Sequence, residues 1–402
     1  MSKYKIVIVG AGLGGLCLAQ SLRRSGIDTE VYERDASPWD RPQGYRLHID
    51  SDGMNALRDV LPAHLWALFD ATSMRPRPFT TLVDTGLNEI KRLPSGGHEP
   101  LQTDGDGPAH VNVNRATLRQ ILLTDLAAIC HFGATLERYE SDADGVTAIF
   151  RDGRKVRADI LVGADGVRSA VRRQRVPDAR VVDTGVRAIY GRLAIGRAAE
   201  LLPAQALDDV FTVASDTRKV FLGLGPVIFP TRPEVASAQL APAAKLFAQD
   251  DYMVCIVGGR SEYFGDADLH RATSAELQQQ AVTMLKGWPA VASAIPAHGQ
   301  PASFFAVDMF TSVPCDLRNS GNVTLLGDAI HAMTPTLGKG ANVAMRDAAL
   351  LGRLLTLADS GELTLPEAMS AYEDEMTRYG FDIVRKSAAT GERLMGQYPL
   401  PA

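Results

Sequence analysis

Three stretches of the 402-residue chain place glycines beside a single carboxylate, a combination that suits a phosphorylated, polyhydroxylated ligand. The first is Gly10-Ala11-Gly12-Leu13-Gly14-Gly15, with Glu33 and Arg34 further on. Gly10 permits a tight turn, Gly12 lets the backbone approach a pyrophosphate, and Gly15 lets a helix pack close to a strand. Leu13 and Gly14 belong to this turn, and the helix N-terminus that follows it offers free N–H groups and a partial positive charge to phosphate. Glu33, about 20 residues past the glycines, is placed to accept hydrogen bonds from a ribose. The second stretch is Gly163-Ala164-Asp165-Gly166-Val167-Arg168-Ser169, followed by Arg172. The third is Gly327-Asp328-Ala329-Ile330-His331, followed by Pro335, Gly338, Gly340, Ala341, Asn342 and Asp347.

These residues need elements to position them. Ile6-Val7-Ile8-Val9 is an apolar strand that runs into the first turn, Leu16–Arg24 reads as a helix, and Asp28–Tyr32 as a second strand ending at Glu33. Strand, glycine turn, helix, strand and acid together fit a dinucleotide; NAD, NADP and FAD all use this arrangement, and Arg34 does not choose between them. Ala158–Val162 and Asn322–Leu326 are further apolar strands, each delivering an aspartate at its end, where ligands gather in open α/β sheets. A helix from about Ala341 to Leu357 follows the glycine loop and turns N–H groups toward it. Each late motif also has a plain structural meaning. Asp165-Gly166 is a common turn, the arginines 168, 172, 173 and 175 suit a solvated helix face, His331 suits a structural hydrogen bond, and Asp347 suits a solvent-facing helix position. The functional reading rests on all three motifs in this order.

Between the motifs the chain changes character. Leu47–Ile49 reads as a strand and residues 53–69 as helical with a break at Pro62; residues 72–110, with a run from Ser95 to His98, read as part strand and part loop. Asn114 caps a helix predicted over Arg115 to Ile129. Short strands follow at 134–140, 146–150 and 155–156, with Asp144-Gly145 and Asp152-Gly153 as turns. From 186 to 310 strand-like pieces dominate, broken by the proline-rich Pro226–Pro233 and by a helix opened by the capping box Thr273–Glu276. Thr364 and Glu367 cap a last helix to about Met395. The expected fold is α/β: a Rossmann-like domain (1–75, 105–182 and 300–360), an inserted mainly antiparallel β-sheet domain (76–104 and 183–299), and a C-terminal helical segment (361–402).

Composition narrows the function classes. The chain is 46% hydrophobic and 22% charged, with 42 Lys+Arg against 47 Asp+Glu and a net charge of −5, which argues against nucleic acid as a main partner. The four cysteines, Cys17, Cys130, Cys255 and Cys315, are dispersed, so neither a zinc site nor a dithiol motif is expected. Reduced thiols suit a cytoplasmic location. No apolar run is long enough for a membrane span.

In this order the motifs resemble those of the single-component FAD-dependent aromatic hydroxylases, the group A flavoprotein monooxygenases of the para-hydroxybenzoate hydroxylase type. The resemblance spans about residues 5 to 357. It implies FAD as cofactor, with Glu33 at the adenosine ribose, Gly10, Gly12 and Gly15 along the pyrophosphate, Arg115 in contact with FAD, and Asp328 at the ribityl and pyrophosphate side. Asp165 belongs to a motif tied in the family to both FAD and NADPH. Pro335 through Asn342 would lie beside the isoalloxazine ring, and Arg41–Gly44 resembles the region of the mobile flavin. Lys339 departs from the family, which often has Gln between these two glycines.

The resemblance further implies NADPH or NADH as transient reductant, O2 as co-substrate, and insertion of one oxygen into an aromatic or polycyclic small molecule through a C4a-hydroperoxyflavin. No catalytic base stands out. Phe211, Phe221, Phe229 and Phe304 or Phe305 are candidate pocket residues that equally suit a plain core. The alternatives within the fold are epoxidation, Baeyer–Villiger insertion and dehydrogenation; outside enzymes, an escort-type binding protein on the same scaffold. A halogenase would need a W-x-W-x-I-P segment, and Trp39, Trp66 and Trp288 are isolated. No second G-x-G-x-x-G exists for the nicotinamide cofactor. Monomer and homodimer are both open.

Overall fold

The computed structural model describes residues 2–40, 45–95, 110–265, 268–317 and 321–401. Arg41–Gly44 and most of the run from Ser95 to His98 lie outside the described residues.

The first structural layer is a five-stranded parallel sheet, in spatial order Val323–Leu325, Ile160–Gly163, Lys5–Val9, Asp28–Tyr32 and Cys130–His131. Strands covered on both faces read as unbroken apolar runs, and Ile6, Val7 and Ile8 are accordingly 0% exposed. Its registers matter for the site. Val9 pairs with Gly163 and with Tyr32, and Gly163 pairs with Leu325, so these strands end level with one another.

The helices that carry or support the motifs are α1 (Leu13–Arg24), α2 (Ser51–Val60), α3 (Arg115–Leu123), α4 (Ala170–Arg175), α5 (Asp328–His331), α6 (Gly340–Ser360) and α7 (Leu365–Met395). Helix α1 packs against α6, close enough that a Cβ on Gly352 would lie 2.2 Å from Ser21 Oγ. Thr364 and Glu367 form the expected capping box at the start of α7.

The second layer is a seven-stranded sheet, in order Phe305–Ser312, Val181–Ala194, Tyr252–Arg260, Phe221–Val227, Asp209–Ser215, Arg77–Val83 and Glu89–Pro94. Every neighbouring pair is antiparallel except Asp209–Ser215 with Arg77–Val83. One face buries Leu222, Val257, Ile189 and Leu193 beneath Leu277, Ala281 and Met284 of a covering helix. The mixed α/β class and the mainly antiparallel second sheet match the expectation.

Local differences have physical causes. The helix predicted to reach Ile129 stops at Leu123: Thr124 leaves helical geometry, Asp125 takes a left-handed φ of 64°, and Leu126 folds back into the core. The strand Phe221–Val227 runs through Pro226, beyond Leu224, where pairing with the Asp209–Ser215 strand has ended. Phe305–Ser312 forms an edge of the antiparallel sheet, as its place in the strand-rich region 186–310 suggests, so the Rossmann-like segment 300–360 starts too early by these residues.

Candidate cofactor and active site

Because the parallel strands end level, Gly10, Glu33, Asp165 and the Gly327-Asp328 turn emerge side by side at their carboxyl ends. The glycines divide the work. Gly10 adopts φ 111°, and a Cβ there would lie 2.2 Å from the Ala164 carbonyl oxygen. A Cβ on Gly15 would lie 2.1 Å from Gly10 O, and one on Gly14 would lie 2.7 Å from Leu326 Cδ1. A Cβ on Gly12 would meet nothing within 4 Å. Gly12 is also the N-cap of α1, and no side chain caps that end. Three glycines are therefore demanded by packing, and the fourth opens an uncapped helix N-terminus onto free space.

Glu33 is buried, and its carboxylate is oriented by two amides, Ala11 N–H to Oε2 at 2.8 Å and Asp35 N–H to Oε1 at 3.0 Å. Each oxygen retains acceptor capacity for a further donor. Arg34 beside it is exposed. Arg119, which sequence reasoning missed, donates from Nε and Nη2 to Ala11 O at 3.1 Å each and from Nη1 to Pro38 O. It fixes the backbone of the glycine turn. Its position one helical turn after Arg115, on the same face of α3, was the available signal.

Asp165 uses one oxygen structurally: Oδ2 accepts from Ala170 N at 2.6 Å and Val171 N at 3.3 Å, at the start of α4. Its Oδ1 is buried without a hydrogen-bond partner among the described residues, and burial raises the carboxyl pKa against these hydrogen bonds. Asp328 is solvent-accessible, yet protein surrounds it densely enough to raise its pKa, with His331 and Arg115 pulling the other way. Arg115 is half-buried, its Nε has no hydrogen-bond partner among the described residues, and its charge acts on both Asp328 and Tyr190.

In the late loop, Pro335 and Gly338 are exposed, Gly338 takes φ 65°, and α6 begins at Gly340 with Ala341 half-buried. No side chain caps α6. Asn342 is wholly buried: Oδ1 accepts from Asp50 N at 3.0 Å, and Nδ2 donates to His48 O at 2.9 Å and Gly338 O at 3.0 Å. Its side chain ties the loop to the strand before α2, leaving only its backbone to face a ligand. Lys339 pairs with Asp50, which itself caps α2, and lies 3.5 Å from Asp52. His48 approaches His110 at 3.3 Å; burial, then the charges of Arg46, His110 and Lys339, keep its imidazole neutral. Neither histidine stood out in the sequence.

Two plain readings fail. Arg172, expected on a solvated face, is buried and bridges the motifs by donating to Ala329 O and Val167 O, both at 2.8 Å. Asp347, expected to face solvent, is 0% exposed and bound to His331 at 2.6 Å.

The open face of the antiparallel sheet carries a second feature. Phe305, Tyr190, Ile256, Gly223 and Val213 are register partners in a row across five adjacent strands, so they share one face. All but Gly223 are half-exposed, whereas the opposite face is buried. Tyr190 stacks on Phe305 (5.5 Å, 16°), Tyr45 meets Phe305 edge-on, and Arg46 lies over Phe211. Of the candidate pocket residues, Phe211 and Phe305 are half-exposed, whereas Phe221, Phe229 and Phe304 are core.

The FAD binding domain family model matches residues 3–387. The chain belongs to the FAD-dependent aromatic hydroxylases. It is 32% identical to a dual O-methyltransferase/FAD-dependent monooxygenase of Phaeosphaeria nodorum, over 98% of this chain and 46% of that protein, and so spans about half the length of that relative. It is 27% identical to salicylate hydroxylase of Pseudomonas putida, over 96% of this chain and 85% of that one. Among solved structures, an FAD-containing monooxygenase of Photorhabdus luminescens aligns with a TM-score of 0.80 at 28% identity, covering 97% of this chain and 98% of that one. No helix among the described residues is long and apolar enough to cross a membrane, and no His/Cys/Asp/Glu group among them could hold a metal.

Proposed function

We propose that this chain is an FAD-dependent monooxygenase that uses NADPH or NADH and O2 to hydroxylate an aromatic small molecule. The observation that carries the proposal is the level emergence of Gly10, Glu33, Asp165 and Asp328 from adjacent parallel strands. The local chemistry fits the cofactor: Gly12 presents an open face, and Asp165 Oδ1 and Arg115 Nε are buried polar atoms without a hydrogen-bond partner among the described residues.

In this reading the α1 N–H groups at Leu13 and Gly14 take the pyrophosphate, Glu33 takes the adenosine ribose with Arg34 at its rim, and Asp328, Arg115 and Asp165 hold the ribityl chain and phosphates. The backbone from Pro335 through Gly338, Gly340, Ala341 and Asn342 lines the ring. The uncapped N-terminus of α6 favours negative charge at that end. When bound, FAD supplies the acceptance of hydride and the activation of O2. The substrate ring lies against Tyr190, Ile256 and Phe305, where stacking orients it and apolar walls exclude water. Burial pushes the Tyr190 hydroxyl up to about 12, against the pull of Arg115, so it stays a donor at neutral pH.

The purified protein should be yellow, or turn yellow on adding FAD, with about one FAD per chain. Phenols and polycyclic aromatics should then stimulate NADPH or NADH oxidation and appear as hydroxylated products. A colourless protein that takes up no FAD would sink the proposal.

A further inference from the structure

Asp347, deep in α6, binds both ends of the turn that carries Asp328. Its Oδ2 accepts from the Gly327 amide at 2.8 Å and lies 2.6 Å from His331 Nε2. Between these contacts the chain takes a left-handed φ of 60° at Gly327 and makes the single turn α5, on which Asp328 is exposed while Ala329, Ile330 and His331 are buried. The other oxygen, Oδ1, accepts from the Tyr379 hydroxyl of α7 at 2.6 Å. Arg346 covers the Tyr379 ring at 3.9 Å. Gly380, next along α7, leaves room for the imidazole, since a Cβ there would lie 2.8 Å from His331 Cδ2. His331 and Asp347 are 0% exposed.

We propose that Tyr379 and Asp347 are positioning residues for the cofactor, and that through them the C-terminal helix sets where the Asp328 carboxylate stands. This rests on the FAD reading above. One carboxylate oxygen shared by residues 327 and 331 makes the turn a rigid unit. The carboxylate can hold that orientation only while its second oxygen is also satisfied, because a buried acceptor without a donor costs about 1–3 kcal/mol. Without the Tyr379 hydroxyl, Asp347 rotates toward another donor, or the turn shifts with it. Either movement displaces Asp328. A residue that merely packs α7 has no such lever. Tyr372 is the comparison within α7: it is more deeply buried than Tyr379, but its hydroxyl donates to the Leu325 backbone at 2.9 Å rather than to Asp347.

The test strips FAD from wild type, Tyr379→Phe and Tyr372→Phe, then titrates FAD back by flavin fluorescence quenching. The visible spectrum of bound flavin and the melting temperature of each apoprotein are recorded alongside. Tyr379→Phe should bind FAD about tenfold more weakly, equivalent to about 1.4 kcal/mol, with an altered flavin spectrum. Tyr372→Phe should stay within about twofold of wild type whatever its melting temperature. The clamp is overturned if Tyr379→Phe binds FAD as wild type does, or if both variants lose affinity in proportion to their loss of melting temperature. A wild type that takes up no FAD overturns the cofactor reading itself; a wild type that binds FAD beside an unaffected Tyr379→Phe overturns the clamp alone.

Discussion

A methyl group at Gly12 would meet no atom within 4 Å, whereas one at Gly15 would lie 2.1 Å from a backbone carbonyl oxygen. The two glycines of one motif therefore answer to different constraints, and mutation separates them. Gly12 has φ −74° and ψ −179°, which alanine adopts freely. Gly12→Ala should leave apoprotein stability within about 0.5 kcal/mol while weakening FAD binding at least about tenfold, as the methyl occupies the space proposed for the pyrophosphate. Gly15→Ala should cost about 3 kcal/mol or more by overpacking, before any cofactor is added. Urea unfolding of the apoproteins and FAD titration read the two effects apart. Equal stability losses in both variants would refute the division of roles.

Among the elements, those with a strong local signature were legible in the sequence. The strand Lys5–Val9 with its glycine turn, the capping boxes at Thr273 and Thr364, and the strand-end aspartates all follow from spacing and composition alone. What was not legible depends on contacts between distant segments. Asn342 was assigned to the cofactor, but its side chain is consumed by Asp50 and His48, partners nearly three hundred positions away. Asp347 and Arg172 looked like solvated helix positions because nothing local marks their burial. Lys339, a departure from its family with no role evident from sequence, turns out to join the α6 N-terminus to Asp50 and Asp52. Lys339→Gln leaves the buried Asp50 without its cation, though Asp50 still accepts from the Asp52 and Gly53 amides. We expect a loss of about 2 kcal/mol, in the range for a hydrogen bond to a charged group, measured by urea unfolding without FAD. A neutral result would show that those two amides suffice for Asp50.

On the scale of the whole molecule, α7 joins the two sheets. Tyr372 reaches the Leu325 backbone at one strand end of the parallel sheet, Glu373 accepts from Thr324 and pairs with Arg175, and beyond the helix Tyr398 N–H donates to Thr184 O of the antiparallel sheet. At the centre of this junction the His331–Asp347 pair gives global stability a pH dependence. Burial alone would lower the His331 pKa; the charge and hydrogen bond of Asp347, with Asp328 behind it, outweigh burial and raise it. A histidine whose folded pKa exceeds its unfolded value of about 6.5 binds more protons in the folded state. Its contribution is therefore fully present below about pH 6.5 and is lost as pH rises through the higher folded pKa. Asp328, whose pKa is raised by burial against the pull of His331 and Arg115, acts with the same sign: it stabilises most below about pH 4, and that contribution is lost as pH rises through its higher folded pKa. The Tyr379 hydroxyl, raised by burial and by Asp347, stays protonated throughout. Urea unfolding of the apoprotein from pH 6 to 9 should accordingly show wild type exceeding His331→Gln most at the acid end, with the gap narrowing as pH rises. A gap that stays constant would mean that His331 is neutral in the fold, and that the Asp347 contact is an ordinary hydrogen bond rather than an ion pair.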